Sequence, residues 1–328
     1  MQCDRVMKKL KKIQNCLIAV LLSFAFASHA TAARYDENGF TLSLGLYASS
    51  KPSAMVRKFR PMVSSLEKRM TEILGHPVRI RMQIAKDYQQ GIDHLRDGKV
   101  DFSRFGAAPY VEAKKANPGL QILAIESRNR SKILHGIIAT GLHSPIKSIA
   151  DLKGKSFAFG NERSTSGRYV SQQYLLSHGI SANDLSRYEY LGRHDIVGTR
   201  VGSGDFAAGA MTESTFRKLL AGGEKIRELA RFPVVSKPWV ARSGMNPKLY
   251  TALKLALLET NDEAALRSLE ISGFIEGTNR DYKVVEEAMA ENGLFFDGKK
   301  RNRVEWVLAR RKDKSNKQKE IAVVESED

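Results

Sequence analysis

The stretch Phe157 to Gln172 reads FAFGNERSTSGRYVSQ. A short apolar run ends at Gly160. Three hydroxyl side chains in a row, Ser164, Thr165 and Ser166, then lead through Gly167 into a helical pattern. The first turn of a helix carries backbone N–H groups with no acceptor behind them and the positive end of the macrodipole. Neighbouring hydroxyls add donors that rotate to meet an oxyanion, and a glycine lets the backbone come close to a bound group. Together these suit a phosphate-like group. The same pattern also serves as a plain helix cap, for which one hydroxyl is enough.

Other residues with chemical potential occupy comparable places. His194, in LGRHDIVGTR, lies between a strand pattern and a helix pattern, where it can give a charge-assisted hydrogen bond to an oxyanion. A lone histidine is also commonly structural. Glu213, in GAMTEST, follows the next strand and suits either a cationic part of a ligand or the cap of the following helix. Tyr47 closes the first strand pattern and Phe105 the third, each a candidate wall of a cleft or a member of the core. The sequence contains no phosphate-binding P-loop, no paired-histidine metal motif and no nucleophile elbow. Neither a cofactor nor a metal is expected, and a binding protein is favoured over an enzyme.

The elements that must position these residues can be read from periodicity. Phe40–Tyr47 alternates as a strand, and Met55–Leu74 carries a helical apolar stripe stopped by Gly75. Val78–Ile84 alternates again, Tyr88–Arg96 is a short helix, and Val100–Phe105 and Leu120–Ile125 are strands. After Ile133–Thr140 the pattern restarts. Ile146–Leu152 reads as a short helix, Ser156–Phe159 as a strand and Tyr169–Ser177 as a helix. Tyr188–Leu191 and Phe206–Met211 are strands, with a helix at Ile196–Val201 between them and another at Phe216–Leu220. Beyond Pro238-Trp239-Val240 helices dominate, over Leu249–Leu257, Asp262–Ile271 and Tyr282–Met289. The alternation predicts an α/β chain of two lobes, each a mostly parallel sheet flanked by helices. The crossings are expected near Ile133–Thr140 and Phe232–Val240. Ligands of such sheets bind beyond the carboxyl ends of the strands, here the cleft between lobes.

The ends of the chain read differently. Arg5, Lys8, Lys9, Lys11 and Lys12 precede the apolar run Cys16–Ala27, and Ala30-Thr31-Ala32 fits a signal cleavage site. A secreted chain is expected, with residues 1–32 as a signal peptide. Both cysteines, Cys3 and Cys16, fall in that segment, so thiol chemistry and disulfides are excluded from the rest. Removing its five basic residues and one acid takes the net charge from +17 to +13. Lys299–Glu320 carries ten Lys/Arg against three acids. Residues 299–328 are therefore expected to be a basic, poorly ordered tail. Contact of this tail with an anionic membrane surface or polymer is a separate reading.

With those residues in place, the chain resembles the periplasmic phosphate, phosphite and phosphonate substrate-binding proteins of ABC transporters. The carriers are FRPMVSSLEKRM, DYQQGIDHLRDGKVDFSRFG, SPIKSIADLKGKSFAFG, STSG and KPWVAR, in the family's order, over Leu42–Met289. The ordered set is more specific than any one motif. The resemblance implies a type II Venus flytrap, with one lobe at 33–136 and 237–298 and the other at 137–236. It implies a phosphoryl clamp of Ser164, Thr165, Ser166 and His194, faced by Tyr47 and Phe105 from the opposite lobe. Glu213 matches an acid that faces the amine of aminoalkylphosphonates. A second acid of that kind is replaced by Lys237, and Arg104 stands where the family has a bulky apolar residue. The Lys237 departure turns the expectation away from an amino-phosphonate and toward phosphite, phosphate, a simple alkylphosphonate or another anion, and the Arg104 departure implies a different pocket wall. The expected partners are that small oxyanion and a membrane permease, with no nucleic acid, in a periplasmic monomer. A sensor protein acting on a kinase is the alternative on the same fold.

Overall fold

The computed structural model describes residues 34–36, 39–48 and 51–297; the expected signal segment and the basic tail lie outside them. Strand β1 (Arg34–Asp36) pairs antiparallel with β2 (Gly39–Tyr47), which runs parallel to both β3 (Val78–Ala85) and β4 (Phe102–Arg104). Between β2 and β3 lies helix α1 (Pro52–Leu74), with Pro52 in its first turn, where a missing N–H costs nothing. Its face of Met55, Phe59, Met62, Val63, Leu66 and Met70 is buried against the sheet, and Gly75 ends it at φ 70°. Helix α2 (Tyr88–Arg96) is capped by Asp87, whose carboxylate accepts from Gln90 N at 2.8 Å. Helix α3 (Ala107–Ala116) and strand β5 (Gln121–Ser127) complete this run.

The chain then enters a second sheet, ordered β10-β6-β9-β7-β8, formed by β6 (Ile133–Gly141), β7 (Ser156–Phe159), β8 (Arg187–Tyr190), β9 (Ala208–Thr212) and β10 (Ile226–Val235). Its helices are α4 (Val170–Ser177), α5 (His194–Gly202) and α6 (Glu213–Ala221). After β10 the chain returns to the first sheet as β11 (Pro238–Ala241), between β4 and β5. It ends through α7 (Pro247–Leu258), α8 (Glu263–Leu269), β12 (Gly273–Ile275), α9 (Lys283–Ala290) and α10 (Gly293–Asp297). Fully buried Trp239 on β11 stacks near Phe102 and meets Phe274 edge-on, at 6.1 and 5.7 Å between ring centroids.

Both sheets are mixed. The parallel cores match the alternation of strands and helices, but β11 runs antiparallel to both β4 and β5, and β6, the strand that enters the second sheet, runs antiparallel to both β9 and β10. The stretch Ile133–Thr140, read as a crossing, is a full strand of the second sheet. The connections themselves are Arg128–Lys132 and Ser236–Lys237, tied together by Ser236 N donating to Lys132 O at 2.7 Å. The short helix expected at Ile146–Leu152 is reduced to a 3-10 turn at Ala150–Leu152. Asp151 explains the difference, since its carboxylate accepts from the Lys147 and Ser148 N–H groups, both at 2.8 Å, and so competes with helical pairing. Among the described residues no helix is long and apolar enough to cross a membrane.

Candidate functional site

Four helices begin at the carboxyl ends of strands and point their N-termini at one cavity. Gly106 opens α3 after β4. Ser164 opens a π-helical turn, Thr165–Tyr169, that runs into α4. His194 is the first residue of α5, and Thr212 caps α6, whose first residue is Glu213. Residues from all four starts line the cavity, together with Tyr47, Tyr88, Arg128 and Lys237. Convergent helix N-termini give partial positive charge and N–H donors without a metal. No cluster of metal-ligating side chains occurs among the described residues.

The three hydroxyls have different local roles. Ser164 Oγ accepts from Gly167 N at 3.0 Å, so it is the cap. Thr165 Oγ1 accepts from Ala108 N at 2.8 Å, a bond from the first turn of α3 beneath one sheet to the helix start on the other. The Ser166 hydroxyl bonds no other described residue and faces the cavity. Each hydroxyl that accepts still has its own proton to donate. Thr165 and Ser166 open the turn, so their backbone N–H groups have no carbonyl behind them. Gly167 is required by packing, since a Cβ there would lie 2.9 Å from Ser164 Oγ and 3.0 Å from His194 Cε1.

Tyr47 stands opposite, with its hydroxyl accepting from Gly106 N at 2.8 Å. Burial pushes its pKa up to about 12, so the phenol remains protonated and can donate into the cavity. Its ring packs on Tyr88 with centroids 3.9 Å apart. The sequence reading did not single out Tyr88 for the site, although it follows a strand end and opens a helix as the other site residues do. Phe105 does not line the cavity. It is 1% exposed and packs behind Tyr47 at 6.0 Å, because the chain turns at Gly106 and presents backbone to the cleft instead.

His194 is buried, with Nε2 3.4 Å from Ser164 Oγ. Burial, reinforced by the charge of Lys237, lowers its pKa to about 4. The imidazole is therefore neutral at pH 7, so the charge in the bond read from sequence is carried by the oxyanion and not by the ring. Glu213 reaches the cavity wall, but its carboxylate is engaged: Arg128 Nη1 lies 3.0 Å and Arg231 Nη1 2.8 Å away. Burial would raise its pKa, yet the Arg231 hydrogen bond and the surrounding guanidinium groups hold it below the usual value. A ligand amine would have to displace two arginines to reach it.

The two departures noted in the sequence also find their places. Arg104 makes a two-point ion pair with Glu126, at 2.6 and 2.9 Å, and Trp239 Nε1 donates to the same carboxylate at 3.0 Å. Burial disfavours the Glu126 charge, but Arg104 outweighs it and keeps the group ionised. The Lys237 ammonium forms no ion pair or hydrogen bond to any described residue. Burial, with Arg104 nearby, lowers its pKa to about 8.

Comparison with known proteins points one way. The family described as ABC transporter, phosphonate, periplasmic substrate-binding protein matches residues 44–282. A probable ABC transporter phosphite binding protein, PhnD1 of Prochlorococcus marinus (strain MIT 9301), is 23% identical over 272 residues, covering 76% of this chain and 89% of that one. The crystal structure of PhnD1 in complex with methylphosphonate superposes with a TM-score of 0.69 at 21% identity, covering 77% of this chain and 98% of the other. A binding protein component of an ABC phosphonate transporter from Pseudomonas aeruginosa gives 0.68 at 16% identity, with 88% and 99% covered.

Proposed function

The chain belongs to the phosphonate periplasmic substrate-binding family of ABC transporters, and on that premise we propose that it captures a phosphonate, phosphite or phosphate oxyanion between its two sheets. Ser164, Thr165, Ser166 and His194 hold the tetrahedral head from one side, and Tyr47 with the start of α3 closes on it from the other. The observation that carries this reading is the convergence of four helix N-termini on one hydroxyl-lined cavity. Glu213 forms the wall and not an amine contact, and Phe105 supports Tyr47 from behind.

The lobes, at 33–136 with 237–298 and at 137–236, turn about the two connecting segments. Closure is favoured because the ligand meets both lobes only in the closed form. The Thr165–Ala108 bond and the Arg163–Glu112 ion pair at 3.2 Å bridge the same gap. The closed protein is what a membrane permease would read, and the site contains no set of groups assigned to catalysis.

Calorimetric titration with methylphosphonate, phosphite, phosphate and sulfate tests the reading. At least one phosphorus oxyanion binds with micromolar or lower Kd, and His194→Ala weakens it at least tenfold, as expected for one hydrogen bond to a charged group of about 1.5–3 kcal/mol. No binding by any of them would overturn the assignment.

A further inference from the structure

The oxyanion cradle opens into a second, larger compartment. Its free volume is about 240 Å³, against about 60 Å³ for the cradle, so a bound phosphonyl group leaves room beyond itself. The two share Tyr47, Tyr88, His194, Thr212, Ser214 and Lys237. The extra space is lined by cations from separate elements: Lys58 on α1, Arg104 on β4 and Lys218 on α6, with Lys237 at the junction.

The acids nearby do not balance them. Glu126 is taken by Arg104 and Trp239. Asp195, which also lines the space, is held by Arg193 at 2.8 Å. Glu270 is shared by Arg217 at 3.0 Å and by Lys218 at 3.6 Å. Lys58 and Lys237 remain, and neither ammonium has an ion pair or hydrogen bond to any described residue. Two half-buried cations lining one cavity are costly unless an anion joins them. Burial lowers the pKa of Lys58 to about 7, and the positive charges of Arg104, Lys218 and Lys237 add to the shift in that order.

We propose that this compartment is a second anion subsite, and that the ligand is an organic phosphonate carrying a second anionic group such as a carboxylate, seated against Lys58 and Lys237. This rests on the cradle reading above and names its substrate class. A positive compartment would repel the ammonium of an aminoalkylphosphonate, which agrees with the engaged state of Glu213.

The test compares methylphosphonate, 3-phosphonopropionate and 2-aminoethylphosphonate by calorimetry at pH 7 on the wild-type protein, Lys58→Met and Lys58→Glu. Wild type prefers 3-phosphonopropionate to methylphosphonate at least tenfold. That ratio falls to threefold or less in Lys58→Met, and Lys58→Glu shifts preference toward 2-aminoethylphosphonate. Methylphosphonate binding without a carboxylate preference, or a preference that survives both substitutions, overturns the second subsite and leaves the cradle standing. Failure of all three ligands to bind wild type while phosphite or phosphate still binds overturns the second subsite alone; failure of phosphite and phosphate as well overturns both.

Discussion

Thr165→Ala probes the cradle and its closure together. The Thr165 hydroxyl accepts the Ala108 N–H at 2.8 Å and, in the proposed complex, donates its own proton to the oxyanion. Removing it costs one hydrogen bond to a charged group, about 1.5–3 kcal/mol, and one neutral bond of about 0.5–1.5 kcal/mol that favours the closed form. The sum, about 2–4.5 kcal/mol, corresponds to a loss of roughly 30-fold to 2,000-fold in affinity. Closure contributes because the apparent Kd scales with the fraction of binding-competent protein. Thr165→Ser keeps the oxygen and should stay within about threefold of wild type, since only a methyl is lost; Thr165→Val keeps the shape and should behave like alanine. Calorimetry with the tightest oxyanion measures the affinities, and small-angle scattering follows the ligand-induced compaction. If Thr165→Ala binds within twofold of wild type, or if serine and valine are indistinguishable, the hydroxyl plays neither part and the argument fails.

Two further outcomes follow from the buried charges. Arg104→Leu leaves Glu126, 1% exposed, without its cation, and should destabilise by about 3–5 kcal/mol; the double variant Arg104→Leu/Glu126→Leu should recover most of that, and equal melting temperatures for single and double variants would contradict the pairing. His194 has a folded pKa of about 4 against 6.5 in the unfolded chain, through burial and Lys237, with Asp195 opposing. The unfolded chain binds the extra proton between those values, so stability is complete above about pH 6.5 and declines as the pH falls toward 4. Urea unfolding across that range should show the decline, and His194→Gln should flatten it.

The parts legible in the sequence were those set by local periodicity and local chemistry. The alternation of β2 and β3, the stripe of α1 and the hydroxyl run before α4 all follow from residues a few positions apart. The first residue of α6 was placed too late because Phe216 and Leu220 carry the apolar signal while Glu213 carries the start. Phe105 could not be told from a cleft residue, since its direction depends on how the chain turns at Gly106. Tyr88 was available to the same strand-end argument that found His194. Lys58 was not, because on α1 it is one more polar residue beside a buried stripe, and only the arrival of Lys237 from a segment far along the chain gives it a role. The engagement of Glu213 by Arg128 and Arg231 likewise joins three distant stretches and has no local signature.

The position of Lys237 carries a consequence of its own. It lies in the two-residue link between β10 and β11, where its carbonyl accepts the Glu126 N–H at 3.0 Å while its ammonium looks into the cavity. One residue thus belongs both to the joint between the sheets and to the surface that meets the cargo. A change there alters what is accepted and how the joint sits, so the two properties are not separately adjustable at that point. Lys58, out on α1, has no such double duty. A lineage shifting toward a new cargo has an easier path through Lys58, where recognition can drift while the articulation stays as it is.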